Sequence, residues 1–84
     1  MVNKPLALMT KEQCRAARGW LGMTQEELAA EANVNQKTIA RFETGVAVPY
    51  DRTLRDIQAC LESKGVEFVF ERSTAVGIRI RFGS

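Results

Sequence analysis

Apolar residues recur along this chain at helical spacing as far as residue 65, and at every second position after it. The opening stretch "MVNKPLALM", residues 1–9, shows neither period, and Pro5 disfavours an early helix. It reads as a flexible N-terminal arm. Thr10-Lys11-Glu12-Gln13 has the form of a capping box, after which Cys14, Ala17 and Leu21 make one stripe and Gly22 a stop. Thr24-Gln25-Glu26-Glu27 is a second capping box, opening a helix that buries Leu28, Ala29 and Ala32. Asn35 caps a third helix, with Ile39 and Phe42 inward and Gly45 at its end. "VAVPY" is an extended link, because Val48 before Pro49 is pushed away from helical angles. Asp51 is expected to cap a fourth helix striped by Leu54, Ile57 and Leu61, and Lys64-Gly65 closes it.

From Val66 the alternation sets Val66, Phe68 and Phe70 against Glu67, Val69 and Glu71, then Ile78, Ile80 and Phe82 against Gly77, Arg79 and Arg81. With "RSTA" between them as a polar turn, the two runs predict a β-hairpin. Glu67 and Glu71 on one strand and Arg79 and Arg81 on the other are expected to form cross-strand pairs. The fold class is therefore mainly α. It has a flexible arm (1–9), a four-helix domain (10–65) and a C-terminal β-hairpin (66–84).

The stretch "TQEELAAEANVNQKTIARFETG", residues 24–45, breaks a helix for three residues and restarts it at once. Helices joined so tightly must cross steeply. Asn33 accepts the left-handed backbone that such a corner needs, Val34 plugs the angle, and Ala29 is small at the close approach. The corner projects the third helix outward, with Gln36, Lys37, Thr38, Ala40 and Arg41 on its exposed face. An α-helix fits the DNA major groove, where glutamine pairs with adenine and arginine with guanine.

Composition narrows the picture further. A chain of 84 residues is one small domain with a thin core, for which oligomerisation is a common remedy. With 12 basic and 10 acidic residues the net charge is +2, so any anion-binding surface must come from local clustering. Cys14 and Cys60 lie on apolar helix faces and read as small buried hydrophobes, which suits a reducing cytoplasm. Trp20 is expected to be partly buried. No apolar run reaches the roughly 18 residues of a membrane span, and the opening residues are too weakly apolar for a signal peptide. There is no histidine, no metal-ligand cluster, no phosphate-cradling glycine loop and no evident acid–base pair. An enzyme is not expected, nor is a cofactor or a metal.

In "RAARGWLGMTQEELA", "VNQKTIARFETG" and the later "P…TL…I…L…G", residues 14–65 resemble the Cro/phage-repressor-type helix-turn-helix proteins, the XRE family. The resemblance implies an all-helical domain that binds double-stranded DNA, acting as a dimeric transcriptional regulator on inverted repeats. It places Gln25 near a phosphate at the start of the second helix. It places Asn35, Gln36, Lys37, Thr38 and Arg41 where relatives touch bases or backbone. Arg52 and Arg55 fall near the phosphates. Arg18 and Glu43 fall where the family ties its first helix to its third with an ion pair. Asn33 stands where many relatives have glycine, and the hairpin stands where many have a fifth helix.

The expected function is a sequence-specific repressor, working in the bacterial cytoplasm on the nucleoid. It is expected to be a homodimer whose interface uses Phe68, Phe70, Ile78, Ile80 and Phe82 of the hairpin. The alternative is a protein-interaction module, such as an antitoxin or antiactivator, that binds a second regulatory protein through the same fold. The basic, glutamine-bearing face of the third helix favours DNA.

Overall fold

The computed structural model describes residues 7–81. Among them are α1 (Lys11–Leu21), α2 (Gln25–Ala32), α3 (Gln36–Glu43), α4 (Asp51–Glu62), β1 (Val66–Glu71) and β2 (Thr74–Ile80). Four helices and one antiparallel hairpin make the mainly helical fold that the periodicity predicts. Both capping boxes form. The Thr10 and Thr24 hydroxyls accept from the backbone N–H groups of Gln13 and Glu27, whose side chains accept in return.

Helix α1 is central, packing on α3, α4 and β2; α2 packs on α3 and α4, and β1 on α4. Where they meet, Cys14, Ala17, Leu28, Ile39, Phe42, Leu54, Ile57, Leu61, Val66 and Phe68 form one apolar cluster. Burial of each large aliphatic side chain contributes about 1.5–3 kcal/mol, so a few residues hold the small domain together. Cys14 and Cys60 are free thiols. Burial, reinforced by Glu43, pushes the Cys14 pKa up to about 12.

Several local expectations need correction. Tyr50, not Asp51, is the N-cap of α4, and its side chain caps nothing; Asp51 is the first helical residue, where its charge still favours the helix N-terminus. Residues 1–6 of the expected arm lie outside the described residues, and its last residue is held in place. Met9 is buried, and its N–H donates to Gln58 Oε1 at 2.9 Å. Trp20 is 65% exposed rather than partly buried.

The hairpin turn is tighter than "RSTA": only Arg72 and Ser73 lie between the strands, and β2 starts at Thr74. The register runs Val66↔Ile80, Glu67↔Arg79, Phe68↔Ile78 and Val69↔Gly77, then jumps to Phe70↔Ala75. Val76 is the extra residue of a β-bulge, which breaks the alternation and raises the local twist. Glu67 and Arg79 pair at 3.3 Å. Glu71 lies opposite Thr74, and Arg81 lies beyond β2, so the second expected charge pair does not form.

Gln13 ties the bulge to α1. Its side chain is 3% exposed, and its Nε2 donates to Val69 O at 3.1 Å and to Gly77 O at 2.9 Å. Its Oε1 meanwhile closes the capping box on Thr10. One amide thus serves the start of a helix and both strands of the hairpin.

Candidate nucleic-acid interface

The corner between α2 and α3 is built by three residues. Asn33 adopts φ 60° and ψ 47°, the left-handed conformation that ends α2, and Val34 N–H returns to Ala29 O at 3.0 Å. Val34 packs half-buried against the core. Asn35 Oδ1 then accepts from Lys37 N–H at 2.8 Å and starts α3. With Oδ1 turned to the Lys37 N–H, the Asn35 side chain keeps both of its Nδ2 donors to offer outward.

The rest of the α3 face follows from helical spacing. Ile39, Phe42 and Glu43 point inward and are buried. Lys37 and Arg41 are exposed, four residues apart and therefore on one line, with Gln36, Thr38 and Ala40 half-exposed beside them. Glu43 is the only acidic residue of α3 and is 2% exposed. The outward arc therefore carries amide, hydroxyl and cationic groups without a carboxylate.

Behind that arc lies a chain of charge-assisted hydrogen bonds. Arg18 Nη2 meets Glu43 Oε1 at 2.7 Å, and Arg18 Nε meets Oε2 at 2.9 Å, a bidentate pair joining α1 to α3. Gln25 Nε2 donates to Glu43 Oε1 at 3.0 Å, and Gln36 Nε2 donates to Gln25 Oε1 at 2.9 Å. Cys14 Sγ reaches Glu43 Oε2 at 3.4 Å from the core side. Arg18 Nη1 also donates to Met23 O at 2.9 Å, and Arg15 Nη1 donates to Glu43 O, so two arginines of α1 hold the C-terminal end of α3. Burial alone would raise the Glu43 pKa. The donors Arg18, Gln25 and Cys14 outweigh it and hold the carboxyl below its ordinary 4.5, while Glu43 raises the pKa of Arg18.

The structure thus brings Gln25, Gln36, Arg18 and Glu43 into one network that runs along α3 from its first residue to its last. The bonds from Gln25 to Glu43 and from Gln36 to Gln25 cross between elements, and no local pattern signals them. Arg52 and Arg55 are exposed on α4. The link before them exposes Val46, Val48 and Tyr50.

Of the hairpin residues expected at a dimer interface, Phe68 is buried within its own protomer. Phe70, Ile78 and Ile80 keep part of their surface free, and Phe82 lies outside the described residues. No helix among the described residues is long and apolar enough to cross a membrane. A family model described as helix-turn-helix matches residues 15–68 of the chain. No curated protein matches it.

Proposed function

The chain belongs to the helix-turn-helix family, in its XRE (Cro/repressor-like) form, a family of DNA-binding regulatory domains, and we propose that it is a transcriptional repressor acting as a homodimer on inverted-repeat operators. In this reading α3 enters the major groove. Gln36 and Arg41 meet base edges, and Thr38 borders them. Gln25, Asn35, Lys37 and Arg52 hold the phosphate backbone. Repression is by occlusion of a promoter, and the protein acts on the nucleoid.

The observation that carries this reading is the outward arc of α3. It bears Gln36, Lys37 and Arg41 and no carboxylate, and its one acid is turned inward onto Arg18. A solvated helix face has no need to hide its acid. Selection of bound duplex from a random pool is the test. A palindromic consensus with half-sites spaced by about one helical turn, some 34–36 Å, is expected. Affinity should fall steeply with salt as phosphate contacts release counterions.

The second reading, a module that binds another protein, has its own support in the half-buried Phe70, Ile78 and Ile80 and the exposed Trp20. Those groups lie on α1 and the hairpin, and α3 contributes none of them. A chain that selects no DNA sequence and shows no salt-dependent binding to duplex would favour that alternative.

A further inference from the structure

We infer that Cys14 is a positioning residue for base reading: its thiol, donating to Glu43 from inside the core, sets where the Gln25 and Gln36 amides stand. This rests on the DNA-binding reading above and adds to it a residue that touches no DNA.

Helix α1 grips one carboxylate twice. Cys14 and Arg18 are four residues apart, so they lie on one line of the helix, and both turn to Glu43. Arg18 places Nη2 on Oε1 at 2.7 Å and Nε on Oε2 at 2.9 Å. A carboxylate has about four acceptor sites, so each oxygen then has one left. Gln25 Nε2 takes the site on Oε1 at 3.0 Å, and Cys14 Sγ takes the site on Oε2 at 3.4 Å.

The thiol suits this place. Cys14 is 0% exposed and Glu43 2%, so the donor on the core side must come from the protein rather than from water. Cysteine packs as a small apolar residue and still donates, whereas alanine or valine on the same stripe could only pack. Burial, with Glu43 beside it, pushes the thiol pKa up to about 12, so its proton stays in place at neutral pH.

Loss of that donor travels outward. Without the thiol, Oε2 keeps an acceptor site with no donor on a buried anion, which is costly. The carboxylate then turns to share the donors that remain. Arg18 is held back, because its Nη1 is tied to Met23 O at 2.9 Å. The half-buried Gln25 can follow, and it carries Gln36 with it through the bond from Gln36 Nε2 to Gln25 Oε1. On the DNA-binding reading Gln36 meets a base edge, so the displacement ends at the reading atoms. Lys37 and Arg41 are exposed and take no part in these bonds, so general affinity for duplex is spared.

Spectra of the free protein come first, because they need no DNA. The infrared S–H stretch of Cys14, isolated in a Cys60→Ala background, should be low and broad and should move up in Glu43→Gln. In Cys14→Ala, checked for unchanged helical circular dichroism, the side-chain amide resonances of Gln25 and Gln36 should shift more than those of Gln58. Cys14→Ser, which keeps a donor, should lie between wild type and alanine. On the selected site, Cys14→Ala is expected to lower discrimination at the base Gln36 reads by roughly three- to tenfold, within the worth of one base contact. Affinity for unrelated duplex should stay within about twofold, because the phosphate contacts that supply it are untouched. Unmoved Gln25 and Gln36 amides overturn the inference. So does a serine variant no closer to wild type than alanine, which would make the thiol a space filler. Shifted amides with undiminished discrimination on a selected site overturn it too. If the wild-type chain selects no sequence, the DNA-binding reading falls by itself, and the amide resonances alone decide whether Cys14 positions Gln36.

Discussion

Gln36 donates its amide N–H to Gln25 Oε1 at 2.9 Å, and the direction of that bond is dictated from Arg18. A guanidinium only donates and an ionised carboxylate only accepts. Glu43, held by Arg18, must therefore take the amide nitrogen of Gln25. Gln25 is left with its oxygen toward Gln36, so Gln36 must give an N–H inward, which leaves its Oε1 and second N–H free to face outward. Glutamine at position 43 can donate or accept and would release the direction. Glu43→Gln is expected to blur discrimination at the base that Gln36 reads, by up to the ~1–3 kcal/mol of a good base contact. Binding to single-base variants of the selected site measures it. Undiminished discrimination in folded Glu43→Gln would show that the relay does not orient Gln36.

The same carboxylate is expected to carry stability. Removing either Arg18 or Glu43 leaves a partly or fully buried charge without its partner, at a cost of about 3 kcal/mol. A double-mutant cycle in urea should return a clear coupling energy. The pH dependence has a defined sign. Because the native Glu43 pKa lies below its ordinary 4.5, the unfolded chain takes up the proton first as pH falls. The pair therefore contributes fully above about pH 4.5 and loses its contribution as pH drops through the lower native value. Urea midpoints of wild type and Glu43→Gln should differ at neutral pH and converge in acid. A gap that stays constant from pH 7 down to pH 2 would mean that the carboxylate charge is not what stabilises the corner.

On the proposed DNA-binding reading, base reading and phosphate holding are expected to be separable on α3. Arg41→Ala and Gln36→Ala are each expected to cost about 1–3 kcal/mol on the cognate site and to relax one base position. Lys37→Ala should weaken all sequences more evenly and lower the salt slope by about 1. These are equilibrium binding titrations at several salt concentrations. Full affinity in a folded Gln36→Ala, Arg41→Ala double mutant would remove α3 as the reader.

What the sequence made legible divides by range. Both capping boxes, the left-handed Asn33, the Asn35 cap and the buried stripes are short-range features, written in residues three or four apart. The Arg18–Glu43 pair spans 25 residues and was legible only through the family resemblance. Three features were not legible. The bulge at Val76 depends on where the Gln13 amide sits, a contact spanning more than 50 residues. Trp20 is exposed, and helical period does not say which off-stripe positions of a helix a later strand covers. The bonds of Gln25 and Gln36 require knowing how three helices meet.

The hairpin turn stores strain that glycine would relieve. Arg72, the first of two turn residues, has φ 60°, a left-handed value that costs a residue with a Cβ about 1–2 kcal/mol. Glycine is the usual residue where a two-residue turn starts with positive φ. Arg72→Gly is expected to stabilise the fold by roughly 1 kcal/mol, part of the gain being offset by the greater freedom of glycine in the unfolded chain. Thermal unfolding checks it, and a lowered midpoint would mean that the arginine side chain holds a contact outweighing its backbone strain.

Gln13 offers the sharpest test of how the hairpin is held to the helices. Its Nε2 is the shared donor for Val69 O and Gly77 O, at the place where the bulge disrupts the strand ladder. Gln13→Ala leaves two carbonyls short of a donor, each at a cost of about 1–3 kcal/mol if water stays out. It also opens space between α1 and β2, and breaks the capping box. A loss of about 2–4 kcal/mol follows, and amide exchange should quicken around Val69 and Gly77 before it does in α2 and α3. Gln13→Glu separates donation from volume. It keeps the size of the side chain and the acceptor for Thr10, but aims a carboxylate at two carbonyl oxygens. At neutral pH it should cost at least as much as alanine does. As pH falls the glutamic acid takes up a proton, recovers an O–H donor, and regains part of the loss, opposite in sign to the effect at Glu43. Equal destabilisation by Glu at pH 7 and at pH 4 would show that the amide acts by filling space rather than by donating.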